Sequence, residues 1–166
     1  MAFKPVNVVD TIKEVVRAIG GARFEFGHYQ EVFNNLSRLE SANIESETIY
    51  PLIYLVCDFE ETMKAENQTI ETRLQLFIIT RTLSEFYAED RKEERFKPIL
   101  YPIYQSLIEA LKKHKEIRLD NGLGFHNHTK IDHYFWGKDE KAFEGNGFFD
   151  CIELKDTEIQ FIINKC

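Results

Sequence analysis

The segment IYPLIYLVCDF, from Ile49 to Phe59, is apolar almost throughout and rich in the β-branched and aromatic residues that favour strands. A strand that is apolar on both sides is stable only when both of its faces are covered. The segment therefore predicts a central strand of a sheet with other elements packed on each face. Pro51 is expected at the start of this strand, where a missing N–H is tolerated.

A second apolar segment, residues 69–82, predicts the partner of this strand. Its sequence, TIETRLQLFIITRT, places two sets of side chains on opposite sides of a strand: Leu74, Leu76 and Ile78 on one, and Arg73, Gln75, Phe77 and Ile79 on the other. Residues 61–69 are polar and predict a turn. The two strands are thus expected to form an antiparallel hairpin.

Residues 9–19 have the apolar spacing of a helix. The expected buried stripe consists of Val8, Ile12, Val15, Val16 and Ile19. Thr11 and Glu14 have the spacing of a capping box, and Asp10 is a competing N-cap. Gly20 and Gly21 follow and predict the end of the helix.

Residues 99–113 predict a second helix, which we expect to pack across the sheet. Its apolar stripe consists of Phe96, Ile99, Leu100, Ile103, Leu107 and Leu111. Asp90 with Glu93 is a possible N-terminal cap. Pro98 and Pro102 either mark the start of the regular helix or kink it, because an interior proline removes a backbone hydrogen bond.

The remaining segments predict short strands and loops. Residues 24–28 suggest a short strand, and the polar residues 34–48 suggest a loop. In TKIDHYFWG, two sets alternate: Ile131, His133 and Phe135 against Asp132, Tyr134 and Trp136. Residues 148–163 form either two strands that turn at Lys155 and Asp156 or one long strand with a bulge.

The sequence shows no internal repeat, low-complexity tract or linker, and 166 residues suit one domain. The predicted fold class is α+β: a mainly antiparallel β-sheet with two principal helices packed on it.

No apolar run approaches the ~20 residues of a membrane span, and no secretory segment is recognisable. The three cysteines, Cys57, Cys151 and Cys166, form no CxxC pair. We therefore expect a cytosolic protein from a reducing compartment.

Charge and aromatic content restrict the function. The formal net charge is −7, the reverse of the basic footprint of a protein that grips nucleic acid by its phosphates. Aromatic residues make up 13%, which fits either an assembly interface or a core rich in Phe. The candidate interface anchors are Tyr134, Trp136, Phe148 and Phe149. For Phe148 and Phe149 the choice between interface and core stays open, because adjacent strand residues face opposite ways.

Two clusters carry groups capable of chemistry. His126, His128 and His133 lie close in sequence, but no further residue at ligand spacing completes a metal site. Asp58 and Glu60 lie at the end of the long apolar strand and are expected on one face, with Glu61 turned away. The chain has none of the common phosphate-binding, hydrolase or zinc-protease motifs. We expect neither catalysis nor a cofactor; a small enzyme using either cluster is the alternative.

The order of these segments resembles that of bacteriophage tail terminator, or tail completion, proteins, which join the tail to the head. The segments that carry the resemblance span residues 8–163: IKEVVRAIGG, IYPLIYLVCDF followed by ETRLQLFIITRT, PILYPIYQSLIEAL, and KIDHYFWG leading to DCIELKDTEIQF. None of them is a catalytic signature. Their order and spacing carry the likeness.

The resemblance implies a structural protein of the virion neck, made in the cytoplasm of the host bacterium. Such a protein forms a closed ring, a hexamer or a dodecamer, that contacts the head connector and the tail tube. DNA passes through the ring without specific binding. The loops at 34–48, 61–69, 120–128 and 137–147 would then reach neighbouring subunits or the next ring. Another neck ring, such as a connector adaptor, is also compatible with the pattern.

Overall fold

A seven-stranded, curled and mostly antiparallel sheet with helices on both faces forms the body of the protein, which confirms the predicted α+β class. The computed structural model describes residues 7–42, 49–118, 127–136 and 148–163. The strands are β1 Arg23–Gly27, β2 Leu52–Val56, β3 Glu61–Lys64, β4 Thr69–Thr82, β5 Ile117–Arg118, β6 Thr129–Trp136 and β7 Phe148–Ile162. The helical segments are α1 Val8–Ile19, α2 Val32–Ser41, α3 Ala88–Arg91, a wide-turn segment Lys92–Leu100 and α4 Tyr101–Lys113.

The two long strands β4 and β7 lie side by side and antiparallel along the middle of the sheet. On the free side of β4, β2 and β3 follow one another along its length, both antiparallel to it. On the free side of β7, β6 and β5 do the same. β1 extends the sheet beyond β2 and is parallel to it. The antiparallel pairing of β2 with β4 confirms the predicted hairpin partners.

One face of the sheet is covered by α1, the wide-turn segment and α4. The helices contribute Ile12, Val15, Leu107 and Leu111, among others, and the sheet contributes Leu74, Leu76 and Ile78 from β4. These β4 residues belong to the set predicted to share a face. The helix predicted at 99–113 thus packs across the sheet as expected.

The other face is covered by α2, which corrects the prediction of a loop at 34–48. α2 buries Val32, Phe33, Leu36 and Leu39 against a second core that contains Tyr54, Val56, Phe77 and Ile79. Val32 and Phe33 precede the polar segment, whereas Leu36 and Leu39 lie within it, so the apolar residues of the helix are divided between the two stretches of sequence. Residues 43–48 lie outside the described part of the chain. Because both faces of β2 are covered, its side chains are all buried, as the sequence predicted.

The first helix follows the prediction except at its cap. α1 begins at Val8, and Asn7 is the N-cap, whose side chain accepts a hydrogen bond from the Asp10 N–H at 3.1 Å. Neither Asp10 nor Thr11 therefore occupies the capping position. Gly20 and Gly21 have φ of 69° and 71°, a left-handed conformation that favours glycine and ends the helix.

The helix around the two prolines starts earlier than predicted. α3 begins at Ala88, and Tyr87 is its N-cap. Asp90 lies inside the helix and is not the N-cap; its side chain accepts a hydrogen bond from the Tyr87 N–H at 3.0 Å. The next residues widen to i→i+5 hydrogen bonding, so that the Tyr101 N–H reaches the Phe96 carbonyl. A wider turn accommodates Pro98, which has no N–H to donate.

Three strand predictions are refined. Residues 61–69, predicted as a turn, contain the short exposed strand β3 before the turn at 65–68. The apolar segment from Ile49 is regular only over β2, and Pro51 precedes it. Residues 148–163 form one long strand rather than two, with an irregularity opposite Leu74 and Leu76 and a positive φ of 53° at Asp156.

Candidate functional site

The predicted aromatic anchors gather at one end of the sheet, where β4 ends, β6 ends and β7 begins. There Thr82 pairs with Phe148, and Phe149 pairs with both Arg81 and Trp136. We call this region the aromatic end; it also includes the exposed Leu83 and Tyr87. The structure thus brings the four candidate residues together, but it buries them to very different extents.

Phe149 belongs to the core, which decides the choice between interface and core that the sequence left open for this residue. Its side chain is fully buried, and its ring centroid lies 5.7 Å from that of Tyr50. Phe148, on the opposite side of the strand, is half-buried. Strand alternation separates the two residues, as expected, and selects Phe148 as the one near the surface.

Trp136 also packs mainly against other residues of the chain. Its ring lies 4.8 Å from Phe33 of α2 and 4.9 Å from Phe77 of β4, centroid to centroid. The sequence predicted Trp136 on the same side as Asp132 and Tyr134. A register shift between His133 and Trp136 moves it to the opposite face. Strand irregularities of this kind re-aim a side chain and leave little trace in the sequence.

Tyr134 remains an exposed aromatic candidate. It keeps 40% of its surface accessible while stacking on the buried Phe96, with ring centroids 4.3 Å apart. Sequence reasoning missed two neighbours after β4: Leu83 is 44% exposed and Tyr87 81% exposed. Both residues lie in the stretch LSEFYAED, which follows the apolar strand β4. Large apolar side chains among the polar residues of this stretch are the sequence signal that could have identified them.

A buried ion pair holds the backbone at the aromatic end. The guanidinium of Arg91 lies 3.5 Å from Asp150, and both side chains are almost completely buried. Arg91 also donates to the Thr82 hydroxyl at 3.0 Å and to the Leu83 carbonyl at 2.9 Å. The side chain therefore ties α3 to the end of β4 and the start of β7, which fixes the position of Leu83 and Phe148.

The structure separates the described histidines of the predicted cluster. Nε2 of His128 lies 2.8 Å from the Tyr104 hydroxyl on the face covered by α4. Nε2 of His133 lies 2.7 Å from Glu153, on the face covered by α2, and Gln75 donates to the same carboxylate. His126 lies outside the described residues. Within the described ranges, no three His, Cys, Asp or Glu residues are grouped so as to hold a metal ion.

A second polar cluster links β6 to α4. The Tyr101 hydroxyl donates to Asp132 at 2.9 Å, and burial together with this carboxylate raises the pKa of Tyr101 to about 12. The ammonium of Lys130 lies 4.9 Å from the centre of the Tyr101 ring and also contacts Asp132. A tyrosine held so firmly in its neutral form serves as a hydrogen-bond donor rather than as a base.

The predicted carboxylates line a groove of about 560 Å³ beside β3 and β4. Asp58 and Glu60 both line it together with the intervening Phe59, so the strand alternation predicted for Asp58 and Glu60 does not describe these residues, which follow the end of β2. A hydrogen bond from His28 at 2.6 Å lowers the pKa of Asp58 below its ordinary value. A general acid requires a raised pKa, so this pairing disfavours that role for Asp58.

Burial raises the pKa of both described cysteine thiols, Cys57 and Cys151, and so disfavours the reactive thiolate. Both residues therefore behave as small apolar side chains. Among the described residues, no helix is both long and apolar enough to cross a membrane.

Models of known protein families give no match to the chain, and neither do curated proteins.

Proposed function

We propose that this chain is a subunit of a ring in the neck of a bacteriophage, similar to a tail terminator, that joins the tail to the head connector and surrounds the DNA path. The supporting observation is that each segment of the resemblance coincides with a strand of the sheet or with a helix packed on it. IKEVVRAIGG lies largely in α1, IYPLIYLVCDF contains β2, ETRLQLFIITRT lies in β4, and the later segments lie largely in α4, β6 and β7.

The surface chemistry is compatible with such a role. A ring through which DNA slides should avoid dense Lys and Arg, because each phosphate contact adds affinity through counterion release. The net charge of −7 meets that requirement. The exposed Leu83, Tyr87 and Tyr134 supply apolar and aromatic surface, of the kind enriched at protein interfaces.

The composition of purified virions tests the proposal. The chain is expected in several copies per particle, in a fixed ratio to the connector protein, and to resist washing at high salt. A phage that lacks the gene should produce heads and tails that are not joined, and a plasmid copy should restore joining. Absence of the chain from washed, infectious particles would overturn the proposal.

The alternative, an enzyme, is favoured only by the groove that Asp58 and Glu60 line. If the groove is catalytic, Asp58→Asn with Glu60→Gln should abolish phage growth while leaving the protein in the particle. If the neck role is correct, the infectious titre should fall only in proportion to any loss of the chain from the particles.

A further inference from the structure

The end of the sheet farthest from the aromatic end consists of four strands in the order β3, β4, β7 and β5, each antiparallel to the next. β3 and β5 are its two edges, and within the described ranges neither has a second neighbouring strand. Every residue of β3 is exposed. Edge strands can pair with a strand of another molecule. At β5 the Ile117 N–H already donates to the His114 carbonyl at 3.1 Å, so the backbone of this short edge offers little beyond a carbonyl, and the charged side chains around it matter more.

The two edges carry opposite charge. At the β3 edge, residues 58–66 contain four carboxylates, listed as Asp58, Glu60, Glu61 and Glu66, and one ammonium, Lys64, which gives −3. Residues 112–118, which run from the end of α4 into β5, contain Lys112, Lys113, Lys115 and Arg118 against Glu116, which gives +3 when histidine is counted as neutral. Lys113 also pairs with Glu109 of α4 at 3.6 Å. All of these charged side chains are exposed except Glu116, which is half-buried.

Strand direction also suits a repeat. The four strands alternate in direction, so β3 and β5 run opposite ways. When identical copies are arranged about an axis roughly parallel to the strands, β5 of one copy meets β3 of the next in antiparallel orientation. The alternation then continues from copy to copy without interruption.

We propose that copies of this chain associate head to tail, with the acidic β3 edge of one copy against the basic β5 edge of the next. This inference rests on the proposed ring and names the surfaces that close it. A contact between two different surfaces generates a ring when the rotation closes. The equal and opposite charges favour a second copy over an unrelated partner and disfavour contacts between two like edges.

The pairing register supplies a matched pair of positions for cross-linking. Thr62 pairs with Glu71, Glu71 with Gln160, and Gln160 with Arg118, so Thr62 and Arg118 lie in one row across the sheet. Within one chain they are three strand spacings apart, about 14 Å. A disulfide requires Cα atoms within about 7 Å, so Thr62→Cys with Arg118→Cys can only cross-link different copies.

The experiment uses particles assembled with this double variant, in which Cys57→Ser and Cys166→Ser remove two of the three native thiols and leave the buried Cys151. Oxidation should give a ladder of cross-linked chains on a non-reducing gel, and each single cysteine variant should remain monomeric. A monomeric double variant, present in the particles, would overturn the edge contact while leaving the neck role intact. Absence of the parent chain from particles would remove both proposals.

Charge reversal gives an independent readout. Glu60→Lys with Glu61→Lys, or Lys115→Glu with Arg118→Glu, should each reduce incorporation into particles roughly tenfold or more, because like charges then face each other. Combining the two pairs should restore incorporation. The control, Glu89→Lys with Glu94→Lys, makes the same charge change on exposed helical residues away from both edges. Normal incorporation of both single-edge variants, or no restoration in the combination, contradicts the proposal.

Discussion

At the scale of single residues, the pair of Arg91 and Asp150 shows how a buried charge specifies local structure. Both groups lose their hydration, and the guanidinium recovers part of that cost through its contacts with Asp150, Thr82 and Leu83. This role is not recognisable from the sequence, since Arg91 lies in the charged stretch AEDRKEER. Nothing in that stretch distinguishes it from the solvated residues around it.

Asp150→Asn should lower the free energy of unfolding by about 3–5 kcal/mol, because it leaves the buried guanidinium without its counter-charge. Urea unfolding followed by circular dichroism measures the change. The matched control is Glu109→Gln, which removes one partner of the exposed pair with Lys113 and should cost at most about 1 kcal/mol. Equal costs for the two variants would show that the Arg91 pair is not buried as described.

The pair of His28 and Asp58 predicts a specific pH dependence. The hydrogen bond to Asp58 raises the pKa of His28 above its ordinary value of 6.5, so its stabilising contribution is complete below pH 6.5 and is lost as pH rises through the raised value. The bond to His28 lowers the pKa of Asp58 below 3.8, so that contribution is complete above pH 3.8 and is lost as pH falls through the lowered value.

An NMR titration of the His28 imidazole tests this directly. The midpoint should lie above 6.5 in the parent protein and return towards 6.5 in Asp58→Asn. A midpoint that does not change on substitution would mean that Asp58 is not the hydrogen-bond partner in solution.

At the scale of elements, regular periodicity was predictable and local irregularity was not. α1 and the strand pair β2 and β4 follow directly from apolar spacing, because burial on one or both faces determines the pattern. α2 was missed because half of its apolar stripe, Val32 and Phe33, lies before the polar stretch in which Leu36 and Leu39 stand alone. Trp136 was placed on the wrong face because a strand irregularity interrupts the alternation.

Leu36→Ala tests the helix that the sequence did not predict. Leu36 is fully buried under α2, so the loss of apolar contacts and the cavity left behind should cost about 2–5 kcal/mol. Leu107→Ala in α4 is the comparison on the other face and should cost a similar amount. If Leu36→Ala changed thermal or urea stability by less than about 0.5 kcal/mol, as exposed positions do, residues 34–41 would be a loop after all.

At the scale of the whole molecule, the aromatic residues answer a question that composition left open. Tyr54, Phe77, Phe96, Phe149 and Phe161 are fully buried, so much of the aromatic content fills the two cores. Others, including Tyr87 and Tyr134, remain at the surface. The explanation by a core rich in Phe therefore holds for the buried residues, and the assembly interface stays a prediction for the exposed ones. Side-chain burial, which composition does not encode, divides the residues between the two groups.

The arrangement of helices on the sheet also bears on the proposed function. The helices cover both faces of the sheet, so the surfaces left for assembly are its edges and its ends. In the proposed ring, the aromatic end would supply apolar surface towards a neighbouring ring, and the oppositely charged edges would supply lateral contacts between copies. Such a subunit would make contacts in two directions, as a ring within a stack requires.

Cryo-electron microscopy of the neck in intact phage particles tests the central claim most directly. The account predicts that density for this chain forms a closed, rotationally symmetric ring around the DNA path, between the head connector and the tail tube. Finding the chain only as a free monomer in infected cells, with no density for it in the particle, would contradict the account.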